Sequence, residues 1–344
     1  MSTANVARAL LIGLLALVPA FAAQAAGEDL FRIEVPVADR GPASRDAALA
    51  AALDGVLVRL TGVAEPRTLP GADALLGQPA RLVRTFQYRE GPEDRLLLEV
   101  TFEPVALEQA VRAAGLPLWG RDRPDVLLWL AVEDNGQRRL LASDDEQTVA
   151  GRALKAAARR RGLPLVLPLM DLEDRRAIGI ADVWGGFVER AVAAARRYGA
   201  PAVATARIEQ VGGGWRGRWT LVFGGETLSW VSDGPDVEAA IAAGMDGLAD
   251  RLAARLAIRG GGLETGHLLL EVEGVTGLAD YARVLRHLEG LDAVRSLRLR
   301  VLRAGVMRLQ LEVDGGVAAL ARSLALGRVL EPVDAAGSRY RLMP

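Results

Sequence analysis

Four acidic residues follow two apolar runs that suit buried strands, Asp125–Val132 and Leu163–Met170. These residues are Asp134 after the first run, and Asp171, Glu173 and Asp174 after the second. Open parallel sheets bind ligands at the carboxyl ends of their strands, and paired carboxylates there can act as general acid and base. The four residues therefore form a candidate ligand edge for a hydrolase or a transferase. Loops after strands are also commonly acidic and solvated, so a structural role stays open.

Other catalytic patterns are missing from the sequence. The chain has no cysteine, no Gly-x-Ser-x-Gly elbow, and two histidines, His267 and His287, that are not spaced as metal ligands. The acidic clusters lack a calcium-loop pattern. The glycines at 212–214 lack the Lys and Ser/Thr of a phosphate loop and indicate a turn. We therefore expect no catalytic residue, no metal and no cofactor, which favours a non-enzymatic protein.

A loop in the segment Gly115–Val132 carries a tryptophan beside two arginines. Trp119 is close to Arg121 and Arg123, so these residues form a candidate interaction site. The indole could stack with a guanidinium group or with the face of a sugar. The alternative is that Trp119 packs between the first and second domains.

A second candidate interaction surface lies near the C-terminus. Arg298, Arg300 and Arg308 alternate with apolar residues along two predicted strands, which indicates one core face and one arginine-bearing face. Such an open face could bind cell-wall glycan or peptide. The alternative is that Glu271, Glu273 and Glu312 pair with these arginines across the strands. Because the strands lack stacking aromatic residues, an RNA-binding sheet is disfavoured.

The candidate residues depend on an α/β middle domain. The run Asp125–Val132 has no polar alternation after its first residue, so it predicts a strand buried on both faces. Leu163–Met170 and Ala200–Ile208 are predicted as parallel neighbours, and helices at 146–161 and 181–198 precede them. An antiparallel hairpin at 215–231 and a long helix at 235–258 follow. Trp215, Trp219 and Trp230 on this hairpin are expected to lie under that helix, the alternative being an exposed patch.

Two smaller domains flank this middle domain. The first has the order β-α-β-β-α, with a strand at Leu30–Val37, a helix capped by Ser44 and ended by Gly62, two antiparallel strands at 83–89 and 95–102, and a helix from Pro104. The last domain reads β-α-β-β-α-β, which is the ferredoxin-like arrangement. The glycines at 260–262 and Gly266 indicate a flexible joint before it.

The predicted fold class is multidomain, both α/β and α+β. A small α+β N-domain precedes an α/β middle domain with a partly parallel sheet and a C-terminal ferredoxin-like βαββαβ domain. The boundaries are 1–25 for a signal peptide, 26–122, 123–259, 260–266 for the linker and 267–344. At 344 residues the chain is long enough for two or three cores.

The N-terminus has the pattern of an export signal. Arg8 precedes the apolar run Ala9–Val18, Pro19 breaks that run, and the Ala-Gln-Ala at 23–25 fits the small-x-small cleavage rule. The run is shorter than the roughly 20 apolar residues that span a membrane, so cleavage near Ala26 is preferred to a membrane anchor. Without cysteine the protein has neither a lipid acceptor nor a disulfide. We expect a soluble, unlipidated periplasmic protein, with no transmembrane segment after cleavage.

Several motifs of the mature chain resemble those of a known family. They are Leu30–Val37, the helix end Leu60-Thr61-Gly62, Gly-Leu-Pro-Leu-Trp-Gly at 115–120, and Arg123-Pro124 followed by Leu-Leu-Trp-Leu at 127–130. This pattern resembles an exported bacterial family, mostly from Gram-negative proteobacteria, that is catalogued only as a domain of unknown function. The resemblance implies no activity and no ligand. The middle domain is also similar in organisation to the TolB amino-terminal domain.

These features lead to one preferred hypothesis and two alternatives. The preferred hypothesis is a non-enzymatic periplasmic binding or scaffold protein of the cell envelope, whose partner is an envelope protein or a cell-wall glycan. A peptidoglycan-binding module that uses the C-terminal sheet is one alternative. A hydrolase or transferase at the acidic edge is the other. The net charge of −1 argues against a nucleic-acid partner.

Overall fold

The structure is a computed structural model. It describes residues 30–134, 136–258, 266–303, 305–327, 329–334 and 336–344. At Asp134 it describes the backbone but not the side chain. The predicted export signal and the glycine joint at 260–262 lie outside these residues. The chain divides into two compact units. One contains the described residues up to Val56 and Gln78–Leu107, and the other contains Leu57–Gly77 and Glu108–Pro344. The domain boundaries drawn from the sequence stay predictions.

The first unit is built on a three-stranded antiparallel sheet. Its strands are β1 (Arg32–Pro36), β2 (Val83–Glu90) and β3 (Leu96–Phe102), in the order β1-β3-β2. Helix α1 (Pro42–Thr61) follows β1 and α3 (Pro104–Ala113) follows β3, and each of them ends in the second unit. The short helix α2 (Ala72–Leu76), between α1 and β2 in the chain, belongs to the second unit. The elements follow the predicted order β-α-β-β-α. Gly55 of α1 lies against Ile33 of β1, where an added Cβ would come within 2.4 Å of Ile33 Cδ1.

The predicted cap of α1 is wrong, whereas its predicted end is confirmed. The helix begins at Pro42, two residues before Ser44. Proline suits a first helical position because its missing N–H would have no intrahelical partner there. The carboxylate of Asp39 accepts a hydrogen bond of 2.7 Å from the Gly41 N–H and so supports the turn before the helix. Gly62 follows the last helical residue with a φ of 68°, a conformation that favours glycine.

The second unit contains a six-stranded mixed sheet. Its strands are β4 (Val126–Asp134), β5 (Gln137–Leu140), β6 (Leu165–Val166), β7 (Ala202–Val211), β8 (Gly214–Phe223) and β9 (Glu226–Gly234). The order is β5-β4-β7-β8-β9, with β6 also paired to β4. β4 runs parallel to β6 and β7, and the other pairs are antiparallel. The prediction of a partly parallel sheet is confirmed.

Strand β4 is buried on both faces, as its unbroken apolar run predicts. Leu128 and Leu130 face helices α4 (Val149–Arg161) and α8 (Val237–Leu256). Leu127 and Trp129 face the opposite layer, and the Trp129 indole donates to Ala191 O over 3.2 Å. The helices of that opposite layer are α5 (Leu172–Ala177), α6 (Ile180–Gly185) and α7 (Val188–Ala195).

Two predictions for the region after α4 are wrong in extent. The run Leu163–Met170 forms ladder pairs at Leu165–Val166 only. Pro164 and Pro168 flank this pair, and proline cannot donate to a ladder. The single helix predicted at 181–198 is divided into α6, α7 and a final 3-10 turn, and α5 precedes it. Gly186, with a φ of 75°, ends α6 and redirects the chain.

The tryptophan hairpin lies under α8, as predicted. Trp219 is 1% exposed, and its ring stacks on Trp230 with centroids 6.0 Å apart. An added Cβ at Gly244 of α8 would lie 2.0 Å from Trp219 Cε2, so the absent side chain lets the helix approach the indole. The Trp219 N–H donates to Ser232 Oγ over 2.9 Å. Trp215 is half-buried against the same core.

The C-terminal part has the predicted ferredoxin-like order. Its elements are β10 (Gly266–Glu273), α9 (Leu278–Glu289), β11 (Val294–Arg303), β12 (Val306–Val313), α10 (Gly316–Leu326), β13 (Leu330–Pro332) and β14 (Arg339–Leu342). The sheet order is β11-β12-β10-β14-β13, in which β10 and β14 are parallel. The extra edge strand β13 pairs with β14. Side chains of both helices and of one sheet face form the core.

Candidate functional site

The predicted acidic edge is held by one arginine. Arg197 Nη1 lies 2.7 Å from Asp171 Oδ1 and 3.0 Å from Asp174 Oδ1, and Arg197 Nη2 lies 3.7 Å from Glu173 Oε2. Asp171 also caps α5 by accepting from the backbone N–H groups of Glu173 and Asp174, both at 3.0 Å. The hydrogen bond from Arg197 keeps the pKa of Asp171 well below its usual range. The side chain of Asp134, the fourth predicted residue, lies outside the described structure.

The buried member of this acidic group is fully hydrogen-bonded. The Asp174 side chain has no exposed surface, and its Oδ2 accepts from Tyr198 OH at 2.5 Å and from Met170 N at 2.9 Å. Burial, together with this hydrogen bond to Asp174, raises the pKa of Tyr198 to about 12. The Tyr198 hydroxyl in turn accepts from Leu169 N over 2.8 Å. Because the oxygens already serve as acceptors, this arrangement anchors the loop after β6 to α5.

A solvent-open cleft of about 440 Å³ lies beside this anchored loop. Three arginines line it: Arg138 and Arg139 from β5, and Arg175 from α5. The remaining lining residues are mainly apolar: Leu140, Ala142, Met170, Ile178, Gly179 and Ile180. We call this site the arginine cleft. It combines positive charge with apolar walls in one place.

Local backbone features bring the three arginines together. The β4–β5 hairpin turns through Gly136, whose φ is 75°, and places Arg138 and Arg139 on the edge of the sheet. On the other side Met170 has a φ of 53°, so the chain bends sharply before α5 and brings Arg175 to the cleft. Buried Ile178 follows α5 and contributes to the core on that side of the sheet.

The arginines of the cleft differ in how far their charges are neutralised. Arg139 Nη1 lies 2.9 Å from Asp145 Oδ1, so its charge is balanced. Arg138 Nε is 3.8 Å from Glu133 Oε1, a weak and half-exposed pair. Arg175 donates from Nε to Met170 O over 2.7 Å and has no acidic partner among the described residues. The cleft therefore carries unbalanced positive charge.

An indole ring supports one of these arginines. The guanidinium carbon of Arg138 lies 4.1 Å from the Trp184 ring centroid, and that of Arg207 lies 6.0 Å from it. Arg207 also donates to Trp184 O over 2.5 Å. Trp184 is half-buried and lies on α6. This cation–π contact restricts the orientation of the Arg138 side chain.

The first predicted interaction site proves to be internally bonded. Trp119 is 1% exposed, and the Arg123 guanidinium lies 4.1 Å from its ring centroid. Arg123 donates to five backbone carbonyls: those of Arg59, Trp119, Gly120, Arg161 and Gly162, at 2.5 to 3.0 Å. Burial lowers the pKa of Arg123 to about 9. Arg121, the exposed member, has its Nε 3.6 Å from Glu108 Oε1.

The second predicted interaction surface is partly neutralised. Arg308 Nε lies 2.7 Å from Glu271 Oε2, which is the cross-strand pairing proposed as the alternative. Arg300 donates to the neutral Gln310 over 2.7 Å. Arg298 has no partner within the part of the chain that the structure describes. Of the three predicted arginines, only Arg308 therefore has its charge balanced.

A reciprocal pair of aspartates joins the loop after α3 to the loop before β11. Asp292 Oδ1 and Oδ2 accept from the N–H groups of Arg121 and Asp122 at 2.9 and 3.1 Å, while Asp122 Oδ2 accepts from Asp292 N at 2.9 Å. Burial and the nearby charge of Asp292 raise the pKa of Asp122 to about 7. The same two causes raise the pKa of Glu108. Because the carboxylates bind backbone groups, this pair joins two loops.

Sequence reasoning missed the arginine cleft. Its arginines come from separate segments, and no spacing rule connects Arg138 with Arg175. Trp184 lies in what was predicted as the interior of one long helix. The available signals were the adjacent Arg138-Arg139 after a buried strand and the prediction that ligands bind at the carboxyl edge.

The described residues contain neither a metal-ligand cluster nor a helix that could span a membrane. No group of three or more His, Asp or Glu side chains in those residues could hold a metal ion. Within the same residues, no helix combines the length and the apolar character needed to cross a membrane.

Comparison with known proteins identifies one similarity. The family model of a domain of unknown function (DUF8605) matches residues 23–120, so this part of the chain is similar to that family. The match includes the motif Gly115–Gly120 and ends before Arg123-Pro124 and β4. No curated protein and no solved structure matches the chain. The proteobacterial origin and the likeness to TolB stay predictions.

Proposed function

We propose that this protein is a non-enzymatic binding protein of the bacterial cell envelope, and that it holds an anionic ligand in the arginine cleft. The observation that carries the proposal is the charge of Arg175, which has no acidic partner among the described residues, beside the weakly paired Arg138 and above apolar walls. Guanidinium groups bind carboxylates and phosphates through charge-assisted hydrogen bonds, often in pairs.

The walls of the cleft narrow the ligand class. Leu140, Ile178 and Ile180 offer apolar surface, and the volume of about 440 Å³ lies within the range of small-molecule sites. A ligand that carries one carboxylate or phosphate and an apolar body would satisfy both parts of the lining. Burial of the apolar body would add to the charge interaction.

The state of the acidic edge supports binding over catalysis. A hydrolase or transferase at this edge needs a carboxylate that can accept or release a proton near a bound substrate. Asp171 and Asp174 instead form ion pairs with Arg197, and the lowered pKa of Asp171 makes it a poor proton donor. The enzyme alternative therefore has little support from this edge.

Placement in the envelope rests on the N-terminal sequence. Its apolar run, its proline and the Ala-Gln-Ala at 23–25 support export and cleavage near Ala26. The envelope offers carboxylate-bearing peptides and acyl chains, which match the ligand class. Cell-wall glycan on the C-terminal sheet stays an alternative, with less support because Glu271 neutralises Arg308.

The proposal can be tested with simple amphiphiles and the fluorescence of Trp184. Octanoate combines a carboxylate with an apolar chain, acetate lacks the chain, and octyltrimethylammonium reverses the charge. We expect octanoate to produce a saturable change in tryptophan emission that is lost in Trp184→Phe. Acetate should bind more weakly, and the cation should not bind at this site.

A matched pair of variants locates the site. Arg175→Ala should weaken octanoate binding about tenfold, the range expected for one lost charge-assisted hydrogen bond. Arg176→Ala removes the next arginine of α5, which is exposed and does not line the cleft, and should change binding by less than about twofold. Equal effects of the two variants, or no saturable response to octanoate, would contradict the proposal.

A further inference from the structure

The two edges of the C-terminal sheet differ sharply. β13 at one edge has three residues and ends in Pro332, and a short strand with proline is a common way to block further pairing. β11 at the other edge has ten residues, and its pairing with β12 shifts register between Val294 and Ser296 and between Leu299 and Val301. Among the described residues no strand pairs with its outer side. Its outer backbone N–H and C=O groups are therefore available to another chain.

The second half of β11 is exposed on both faces. Every side chain from Arg298 to Arg303 is exposed. Leu299 and Leu302 are paired with Leu309 and Met307, both fully buried, so they lie on the core face of the sheet. They nevertheless remain 42% and 47% exposed. The result is an uncovered apolar strip beside an open strand edge.

The charge of β11 has one sign. The strand contains four arginines and no acidic residue. Arg295 is balanced by Asp314, whose Oδ1 lies 2.7 Å from Arg295 Nη2. Arg298 and Arg303 have no acidic partner in the described part of the chain, and Arg300 bonds to Gln310. The exposed half of the strand therefore carries three unbalanced positive charges.

We infer that β11 is a docking edge for an extended acidic peptide segment, which adds to the sheet as a further strand. Strand addition uses backbone hydrogen bonds for affinity and alternate side chains for specificity. Apolar residues of the segment would cover Leu299 and Leu302 on the core face. Acidic residues at the alternate positions would meet Arg298 and Arg303 on the open face. This surface is separate from the arginine cleft and does not depend on it.

Charge decides between an acidic segment and a second copy of this chain. Two β11 strands paired edge to edge would place their unbalanced arginines side by side, which like-charge repulsion disfavours. Arginine on an edge strand can also serve only to prevent aggregation. A protective role and a docking role differ in their response to an acidic strand, because a docking edge binds it through the backbone as well as through charge.

The test uses a blocked, fluorescein-labelled peptide of alternating glutamate and valine, about eight residues long to match the exposed half of β11 with a margin. We expect saturable binding to the purified protein by fluorescence anisotropy. A lysine–valine peptide of the same length should not bind. An otherwise identical glutamate–valine peptide with N-methylated backbone amides on alternate residues should bind at least about tenfold more weakly, because it cannot form the strand ladder.

Variants connect the binding to β11. The double substitution Arg298→Glu and Arg303→Glu should weaken the acidic peptide at least about tenfold, whereas Arg322→Glu on α10, also an exposed arginine, should have little effect. Thermal unfolding of both proteins checks that they remain folded. Equal affinity for the N-methylated peptide would reduce the interaction to charge alone and overturn the inference. If the acidic peptide does not bind, and purified cell-wall sacculi bind instead through Arg298 and Arg303, the inferred peptide partner is wrong and the ligand of this edge is glycan.

Discussion

The aspartate pair predicts that one substitution stabilises the protein in a pH-dependent way. Asp122→Asn removes a carboxylate whose pKa is raised to about 7 from an ordinary 3.8 by burial and by the charge of Asp292. The asparagine oxygen can still accept the hydrogen bond that Asp292 N donates to Asp122 Oδ2 over 2.9 Å. The variant should therefore keep the link between the two loops and lose its electrostatic cost.

The size of the effect follows from the difference in pKa. A rise from 3.8 to about 7 corresponds to about 4 kcal/mol at full ionisation, at 1.36 kcal/mol for each unit. Asp122 is partly exposed, and water reduces the cost of its charge, so we expect about 2 kcal/mol. In a unit of this size that corresponds to a shift of about 4–8 °C in Tm.

The direction of this pH dependence follows from proton binding to Asp122 in the folded and unfolded states. Between about pH 4 and pH 7 the folded protein holds a proton on Asp122 that the unfolded chain has released, so folded stability falls as pH rises through this window. Below about pH 4 both states are protonated, and Asp122→Asn should match the wild type. By pH 8 the variant should be more stable by the full amount.

Thermal unfolding at pH 4.5 and pH 8 is the assay, with Asp125→Asn as the matched control. Asp125 is exposed, and none of the described residues forms a hydrogen bond or an ion pair with its side chain, so its substitution should be neutral at both pH values. Glu108 also has a raised pKa and faces the same group, together with Arg121 and Arg112. Glu108→Gln should therefore act in the same direction. A variant Asp122→Asn that is less stable than wild type at pH 8 would refute this electrostatic reasoning.

Two further predictions concern the acidic edge and the cellular location. Arg197→Ala should lower the Tm, because it leaves the buried Asp174 carboxylate without its cation. Arg196→Ala removes an exposed arginine that forms no ion pair among the described residues and should leave the Tm nearly unchanged; equal unfolding curves would count against the proposed anchor. Cell fractionation followed by N-terminal sequencing should find the protein in the periplasm with Ala26 as its first residue. Recovery from the cytoplasm with the N-terminal segment intact would exclude the envelope role.

Features of the fold could be predicted where the burial of side chains alone determines the order of apolar and polar residues. The unbroken apolar run of β4 indicates that both faces of the strand are buried. The alternation of apolar and polar residues in β12 indicates one core face and one open face. The ferredoxin-like order follows from such periods with short turns between them. Positions such as Gly62 were predicted because the left-handed conformation that ends a helix favours glycine.

Other features could not be predicted from apolar content and periodicity, because neither shows where a strand stops pairing or where the backbone turns. The segment 163–170 is apolar enough for a strand, but Pro164 and Pro168 restrict its ladder to two pairs. In the segment 181–198 the alanine-rich period is typical of a helix, and it does not show that Gly186 takes a φ of 75°. Side-chain periodicity does not report where a backbone turns.

The candidate site was the least predictable part of the protein. Loops at the carboxyl edge were expected to carry the site, but the acidic residues there are neutralised by Arg197, which lies more than 20 positions further along the chain. The arginines of the cleft could not be distinguished from other arginines in the sequence, because Lys and Arg together number 42 and are spread over the whole chain. Only the fold shows that Arg138, Arg139 and Arg175 line one cleft, and that Arg175 has no acidic partner among the described residues.

The proposed binding of an anion with an apolar body in the arginine cleft can be observed in a crystal structure of the protein with octanoate. We expect the octanoate carboxylate within about 3 Å of Arg175 or Arg138 nitrogens, and its alkyl chain against Leu140 and Ile180. Octanoate bound at another place, with none in the cleft, would refute the proposed site.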